Sequence, residues 1–318
     1  MIQGRVARLG VVVMLWAVVS AGGRGQSRAP STVAKATDPG NFTIQTTSRL
    51  VLLDVSVKDA AGGFVAGLSK DNFKVFEDNK PEDISQFSST DAPVTVGVAV
   101  DESGSMRSKR AQIITAGLVF FHESNPKDEI FVVNFNEKAR RGLPDDVLFT
   151  DNMQLLRAAL WQGDPEGRTA LYDAIELSLH QLQFGRQAKK TLEVISDGGD
   201  NHSTHTEQEV MQDVLSSLAT IYTVGVYDED DPERNEGVLK KLAHVSGGVF
   251  YHPKTLEDVV PVCREIAKEI RARYTIGYVP SSEGKAVRHI KVVATSTEHP
   301  KMIVRTRTNY VFADKGTQ

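Results

Sequence analysis

One short stretch of the chain carries oxygen-bearing side chains in a pattern that suits a hard divalent cation. Asp101, Ser103 and Ser105 leave it at alternate positions, and Gly104 lets the backbone there fold tightly. Mg²⁺ and similar ions take oxygen ligands in near-octahedral array and keep some of their waters. One loop does not fill such a shell, so distant partners are required. Two stretches offer them: Thr169, within Gly167-Arg168-Thr169-Ala170, and Asp197, followed by Gly198-Gly199-Asp200-Asn201. Taken alone the alternation is weak, because Asp and Ser are also common turn and helix-capping residues. Its meaning depends on where the flanking elements put the three loops.

Residues 94–100 are apolar or small on both faces, as a central parallel strand covered by helices would be, and Asp101 stands at the carboxyl end. Residues 192–196 form a second such run, and Asp197 ends it. Thr169 directly precedes a helical pattern. In a doubly wound sheet, ligands sit beyond the carboxyl ends of the strands, where the strand order reverses. The three loops are therefore predicted to converge.

The pattern around them alternates. Strands are predicted at 94–100, 130–135, 147–150, 192–196, 221–226 and 249–251, and helices near 108–123, 152–161, 170–183, 207–218, 236–245 and 256–273. Capping boxes are expected at Asp151 with Gln154 and at Thr206 with Glu209. The expected fold is α/β, a doubly wound, mostly parallel six-stranded sheet. Its antiparallel edge is expected at 147–150, whose links are too short or too turn-rich for a crossover. On either side the pattern is β. Val51, Leu53, Val55 and Val57 alternate, residues 73–77 and 84–87 follow, and 274–279, 289–294 and 302–307 come after the last helix. Neither segment alone buries two faces. Residues 44–90 and 274–313 are therefore predicted to build one small β domain, with residues 91–273 inserted into it.

Asp101-x-Ser103-x-Ser105, then Thr169, then Asp197 resemble the metal-ion-dependent adhesion site of von Willebrand factor type A (VWA) domains. Residues 50–62, 72–81 and 274–280 further resemble the segments that flank this domain in a bacterial exported subfamily. The resemblance implies a Rossmann-like VWA fold. It implies Ser103, Ser105 and Thr169 as direct ligands of Mg²⁺ (or Mn²⁺ or Ca²⁺), with Asp101 and Asp197 acting directly or through water. A carboxylate from an Asp or Glu of a protein ligand would complete the shell. Neutral hydroxyls leave the cation under-neutralised, hence a strong Lewis acid for that carboxylate. The expected function is an exported binding or adhesion module. The alternative is a structural or assembly subunit of an envelope-associated complex in which the metal only stabilises the loops.

Composition narrows the classes further. A formal charge of −4 does not suit a nucleic-acid binder. Arg5 and Arg8 precede an apolar run at 11–19 and small residues near Ala21, the pattern of a secretory signal removed near Ala21. That run is short for a bilayer span, so cleavage is expected ahead of the alternative, an uncleaved anchor; no membrane span is expected in the mature chain, which is placed in the periplasm or outside the cell. Residues 22–43, rich in Gly, Ser, Ala, Thr and Pro, suit a linker. The single cysteine, Cys263, allows no intramolecular disulfide. It lies on the apolar stripe Leu256, Val259, Val260, Ile266, Ala267, Ile270 and is expected to be a buried small hydrophobe rather than a reactive thiol. No nucleotide-loop, zinc-protease or nucleophile-elbow motif occurs, and no histidine is placed to activate Ser103 or Ser105, so no enzyme is expected. His202 and His205 are expected as loop residues rather than as zinc or copper ligands. The acidic run at 228–233 is expected on the ligand-facing rim, where it would tune ligand choice by charge.

Overall fold

The computed structural model describes residues 50–228, 234–281 and 286–311. The expected leader and linker, and most of the acidic run, lie outside these residues. The central element is β5 (Val94–Asp101), which is buried along its whole length. Its residues 94–100, small or β-branched and without charge, suit a strand covered on both faces. It pairs in parallel with β6 (Glu129–Phe135) on one side and β8 (Lys189–Ser196) on the other. The six-stranded sheet continues through β9 (Thr220–Gly225) to β10 (Phe250–Tyr251) at one edge, and ends at β7 (Ala139–Arg141) at the other. The chain leaves β5 toward β6 and later returns to the far side of β5 as β8. The strand order therefore reverses at the carboxyl end of β5.

Among the described residues, six helices flank the sheet: α1 (Arg110–Glu123), α2 (Met153–Leu160), α3 (Leu171–Leu182), α4 (Glu207–Ser217), α5 (Glu236–Ser246) and α6 (Val259–Ala272). Helix α1 packs with α2 and α6, whereas α3 packs with α4 and α4 with α5. The two groups lie on opposite faces. On β9, Tyr222 reaches Glu269 of α6, and the next residue, Thr223, donates to the Leu239 carbonyl of α5. Neighbouring strand residues point to opposite sides of a sheet. Helix α4 begins at the expected box, in which Thr206 and Glu209 cap each other. At α2 the cap is Asn152 rather than Asp151, its side chain accepting from the amides of Gln154 and Leu155.

The antiparallel edge also differs from expectation. Residues 147–150 form no strand, and the edge is β7, joined to β6 by only three residues. So short a link closes as a hairpin whatever the composition of the second strand. The expected segment instead runs beside β6, with Thr150 and Ile130 exchanging backbone hydrogen bonds at 2.8 and 3.2 Å, and with Val147 and Phe149 packed on the core.

The flanking segments form two antiparallel four-stranded sheets. The strands are β1 (Val51–Asp59), β2 (Phe73–Glu77), β3 (Lys80–Glu82), β4 (Ile84–Ser88), β11 (Tyr274–Tyr278), β12 (Val287–Ala294), β13 (Met302–Arg305) and β14 (Asn309–Val311). One sheet runs β13-β1-β11-β4 and the other β14-β12-β2-β3. Each sheet draws strands from both flanks, so the fold matches the expected class, small β domain included. Asp78 and Asn79, both at positive φ, make the two-residue turn between β2 and β3. Buried in this domain, Glu77 accepts from Arg288, Tyr278 and Tyr310. One residue, Arg273, separates α6 from β11. It is buried, donates to the Gly247 carbonyl at 2.7 Å and to Glu269 at 3.0 Å, and lies over the Tyr222 ring.

Candidate metal centre

The carboxyl ends of β5 and β8 bring Asp101 and Asp197 to one place, each only 2% exposed. Asp101 Oδ1 accepts from the Ser103 amide at 2.8 Å, which turns the chain immediately after the strand. The next residues form a short 3-10 turn, Gly104–Lys109, which leads into α1. That turn places the Ser103 and Ser105 hydroxyls 3.1 Å apart, and Ser105 donates to Asp197 Oδ2 at 2.5 Å. Ser196, the last residue of β8, donates to the other oxygen of Asp101 at 2.6 Å and accepts from the Gly198 amide. Gly198 sits at positive φ, where a side chain would meet the Asn235 backbone.

Thr169, 5% exposed, is tied by its backbone to the Asp197 loop. The amides of Asn201 and His202 both donate to its carbonyl at 3.0 Å. The preceding loop is tied to the serine turn, since the Gly104 amide donates to the Gly167 carbonyl at 3.2 Å and Arg107 Nε to Pro165 at 2.9 Å. All five residues singled out from the sequence therefore lie in three mutually hydrogen-bonded loops. Asp101, Ser103, Ser105 and Asp197 form one chain of side-chain and backbone hydrogen bonds; Thr169 joins the cluster through its backbone.

The electrostatics suit a cation. Burial pushes the Asp101 carboxyl up to about 7, and the neighbouring negative charge of Asp197 pushes in the same direction. A buried carboxylate raised in this way beside a second one is relieved by a positive ion between them. The donors are carboxylate and hydroxyl oxygens, the set that Mg²⁺, Mn²⁺ or Ca²⁺ prefer over soft metals. With only two carboxylates, a cation held here would depend on the hydroxyls. Among the described residues no group of three or more His, Cys, Asp or Glu side chains is arranged to hold a metal. His205 Nδ1 instead lies 2.7 Å from Asp173 Oδ1.

Several residues of the site escaped the sequence reading. Glu102, buried beside Asp101, faces Arg110 and Arg140 at 3.7 and 3.6 Å, and burial pushes its carboxyl up to about 7. Lys109 is buried as well, donating to the Val226 carbonyl at 3.0 Å and pairing with Asp228 at 3.1 Å. A lysine at the head of a helix carries no signal of burial. Ser196, one residue before Asp197 at a strand end, was the more legible of these.

Residues 96–199 match the family model of the von Willebrand factor type A domain. No curated protein matches the chain. Among solved structures it is similar to a von Willebrand factor type A protein from Catenulispora acidiphila. The TM-score is 0.51 at 15% identity, over 86% of this chain and 77% of that one. It is also similar to the vWF domain of the type V pili tip protein Mfa5 from Porphyromonas gingivalis (TM-score 0.48, 15% identity, 57% of this chain and 96% of that one). A third is proximal thread matrix protein 1 from the mussel byssus, solved with a zinc-occupied MIDAS motif (TM-score 0.47, 15% identity, 63% of this chain and 50% of that one). At 15% identity the likeness to the Catenulispora acidiphila protein is one of fold.

Proposed function

We propose that the chain is an exported binding module that recognises a protein ligand through a divalent cation, Mg²⁺ or a close relative. Ser103, Ser105 and Thr169 would coordinate it directly. Asp101 and Asp197 would coordinate directly or through water and orient the hydroxyls. The ligand's Asp or Glu carboxylate would take the open position. The observation that carries this reading is the meeting of Asp101, Ser103, Ser105 and Asp197 at the ends of β5 and β8, with Asp101 pushed up by burial and, in the same direction, by the Asp197 charge. The domain boundaries that go with it are a VWA domain at 91–273 between β segments at 44–90 and 274–313. Export rests on the leader pattern that ends near Ala21.

A second reading has its own support. The three loops are already cross-bonded through Thr169, Gly104 and Gly167. The metal could then serve to lock an assembly subunit rather than to meet a ligand. Thermal unfolding with EDTA, Mg²⁺ or Mn²⁺, beside Asp101→Ala, tests the site itself. A cation at a hundredfold over its dissociation constant adds about 2.7 kcal/mol. For a domain of this size that raises Tm by roughly 5–10 °C. The shift is expected in the wild type and absent in Asp101→Ala; no shift with either cation removes the metal reading. A partner that binds equally well with EDTA would favour the assembly reading.

A further inference from the structure

Helix α3 begins without a cap of its own. Its N-cap position is Ala170, whose side chain offers no acceptor to the first-turn amides. The acceptors come from the Asp197 loop instead. Asn201 Oδ1 accepts from the Thr169 amide at 2.9 Å, Asp200 Oδ2 from the Tyr172 amide at 2.9 Å, and Ser203 Oγ from the Asp173 amide at 3.1 Å. The Asn201 contact is reciprocal, because its own amide and that of His202 donate back to the Thr169 carbonyl. The peptide units on both sides of Thr169 are thus held by the loop that follows β8. No hydrogen bond from the Asp101 loop reaches Thr169 among those described.

We propose that Asn201 is a positioning residue of the metal centre: by holding the Thr169 amide, it sets where the Thr169 hydroxyl stands relative to Ser103 and Ser105. The inference rests on the metal reading above. It makes the Asp197 loop do two things, supplying a carboxylate and aligning a ligand on another element. Asn201 itself is exposed, and its side-chain oxygen meets the Thr169 backbone amide.

The test is a titration of the full chain with Mg²⁺ alone, read by calorimetry and by Tm. Removing a group that orients a metal ligand typically weakens metal binding by roughly 10- to 100-fold. Asn201→Ala is expected to weaken Mg²⁺ binding by that factor, with the metal-free Tm little changed. Asn201→Asp keeps an acceptor oxygen at the same place and is expected to bind Mg²⁺ at least as tightly as wild type. Amide exchange at Thr169 should quicken in Asn201→Ala and not in Asn201→Asp. Wild-type Mg²⁺ affinity in Asn201→Ala overturns the inference and leaves the metal reading standing. Equal weakening in both variants also overturns it, since the acceptor would then not be what matters. No Mg²⁺ binding by the wild type overturns both readings together.

Discussion

The sharpest test of the core lies under α6. Glu193, in the middle of β8, is fully buried, and neither carboxyl oxygen meets a hydrogen-bond partner at good geometry. It stands between Val98 of β5 and Tyr222 of β9, and the relief it receives comes from the Cys263 thiol of α6. Burial pushes its carboxyl from 4.5 up to about 7. The unfolded chain gives up this proton near the ordinary value, whereas the folded chain keeps it up to about neutrality. Between those two values the folded state binds more protons, so stability falls as pH rises through the window and levels off above it. At about 1.4 kcal/mol per pH unit, the loss between 4.5 and about 7 is on the order of 3 kcal/mol. Glu193→Gln keeps the shape and does not titrate. Urea unfolding of both proteins, in EDTA and from about pH 5 to about pH 8, should show the wild type losing roughly 3 kcal/mol relative to the variant. Asp101 and Glu102, also raised to about 7, titrate in both proteins and drop out of the difference where sites are independent. Parallel stability curves across that range would refute the reasoning, because they would mean that Glu193 is solvated or paired in the native state.

Two further outcomes follow from buried groups. Glu77→Leu leaves the Arg288 guanidinium without its carboxylate and takes an acceptor from Tyr278 and Tyr310, so a loss of about 3–5 kcal/mol in urea unfolding is expected. Replacement by a residue of similar bulk that cost under about 1 kcal/mol would show that the cluster is hydrated. Cys263 is fully buried, and burial raises its thiol well above the ordinary range, with the Glu193 charge adding to the effect. A thiol reagent should therefore label it only as fast as the chain unfolds, and labelling at the rate of a free thiol in native buffer would contradict the burial.

What the sequence disclosed follows from how each residue is used. Strand β5 was legible because residues 94–100 are apolar or small on both faces, as a strand sandwiched between helices requires. Asp101 and Asp197 were legible because each ends such a run. Thr206 with Glu209 was legible because both halves of a capping box are local. Asp151 and Asn152 are both good caps one residue apart, and sequence alone does not choose between them. Strand β7 reads Ala139-Arg140-Arg141, with no apolar alternation, and exists because a short turn folds it back on β6. Strand β14 is three residues long and is held by its pairing with β12. Asn201 looked like one more polar residue of a glycine-rich turn, and its role depends on Thr169, thirty-two positions away in the chain. Side chains that act across loops leave no periodic trace.

The interleaved β sheets have a consequence for the order in which the molecule forms. Strand β1 pairs with β11 and β13, and Glu77 meets the Tyr278 hydroxyl across 201 residues of chain. During synthesis the first four strands must wait, with open edges, until nearly everything else has emerged. Waiting strands with apolar faces are prone to associate with other chains. The central sheet has no such delay, since β5 to β10 pair only among themselves. When it closes, Arg271 of α6 comes to Asp91, just before β5, at 3.3 Å, and the two distant ends become neighbours. A closure that would have spanned the whole domain then spans a few residues on each side, at far lower entropic cost. The insert thus acts as the template on which its own host is assembled, and lesions that slow the insert's folding should reach the native yield through aggregation of residues 51–88.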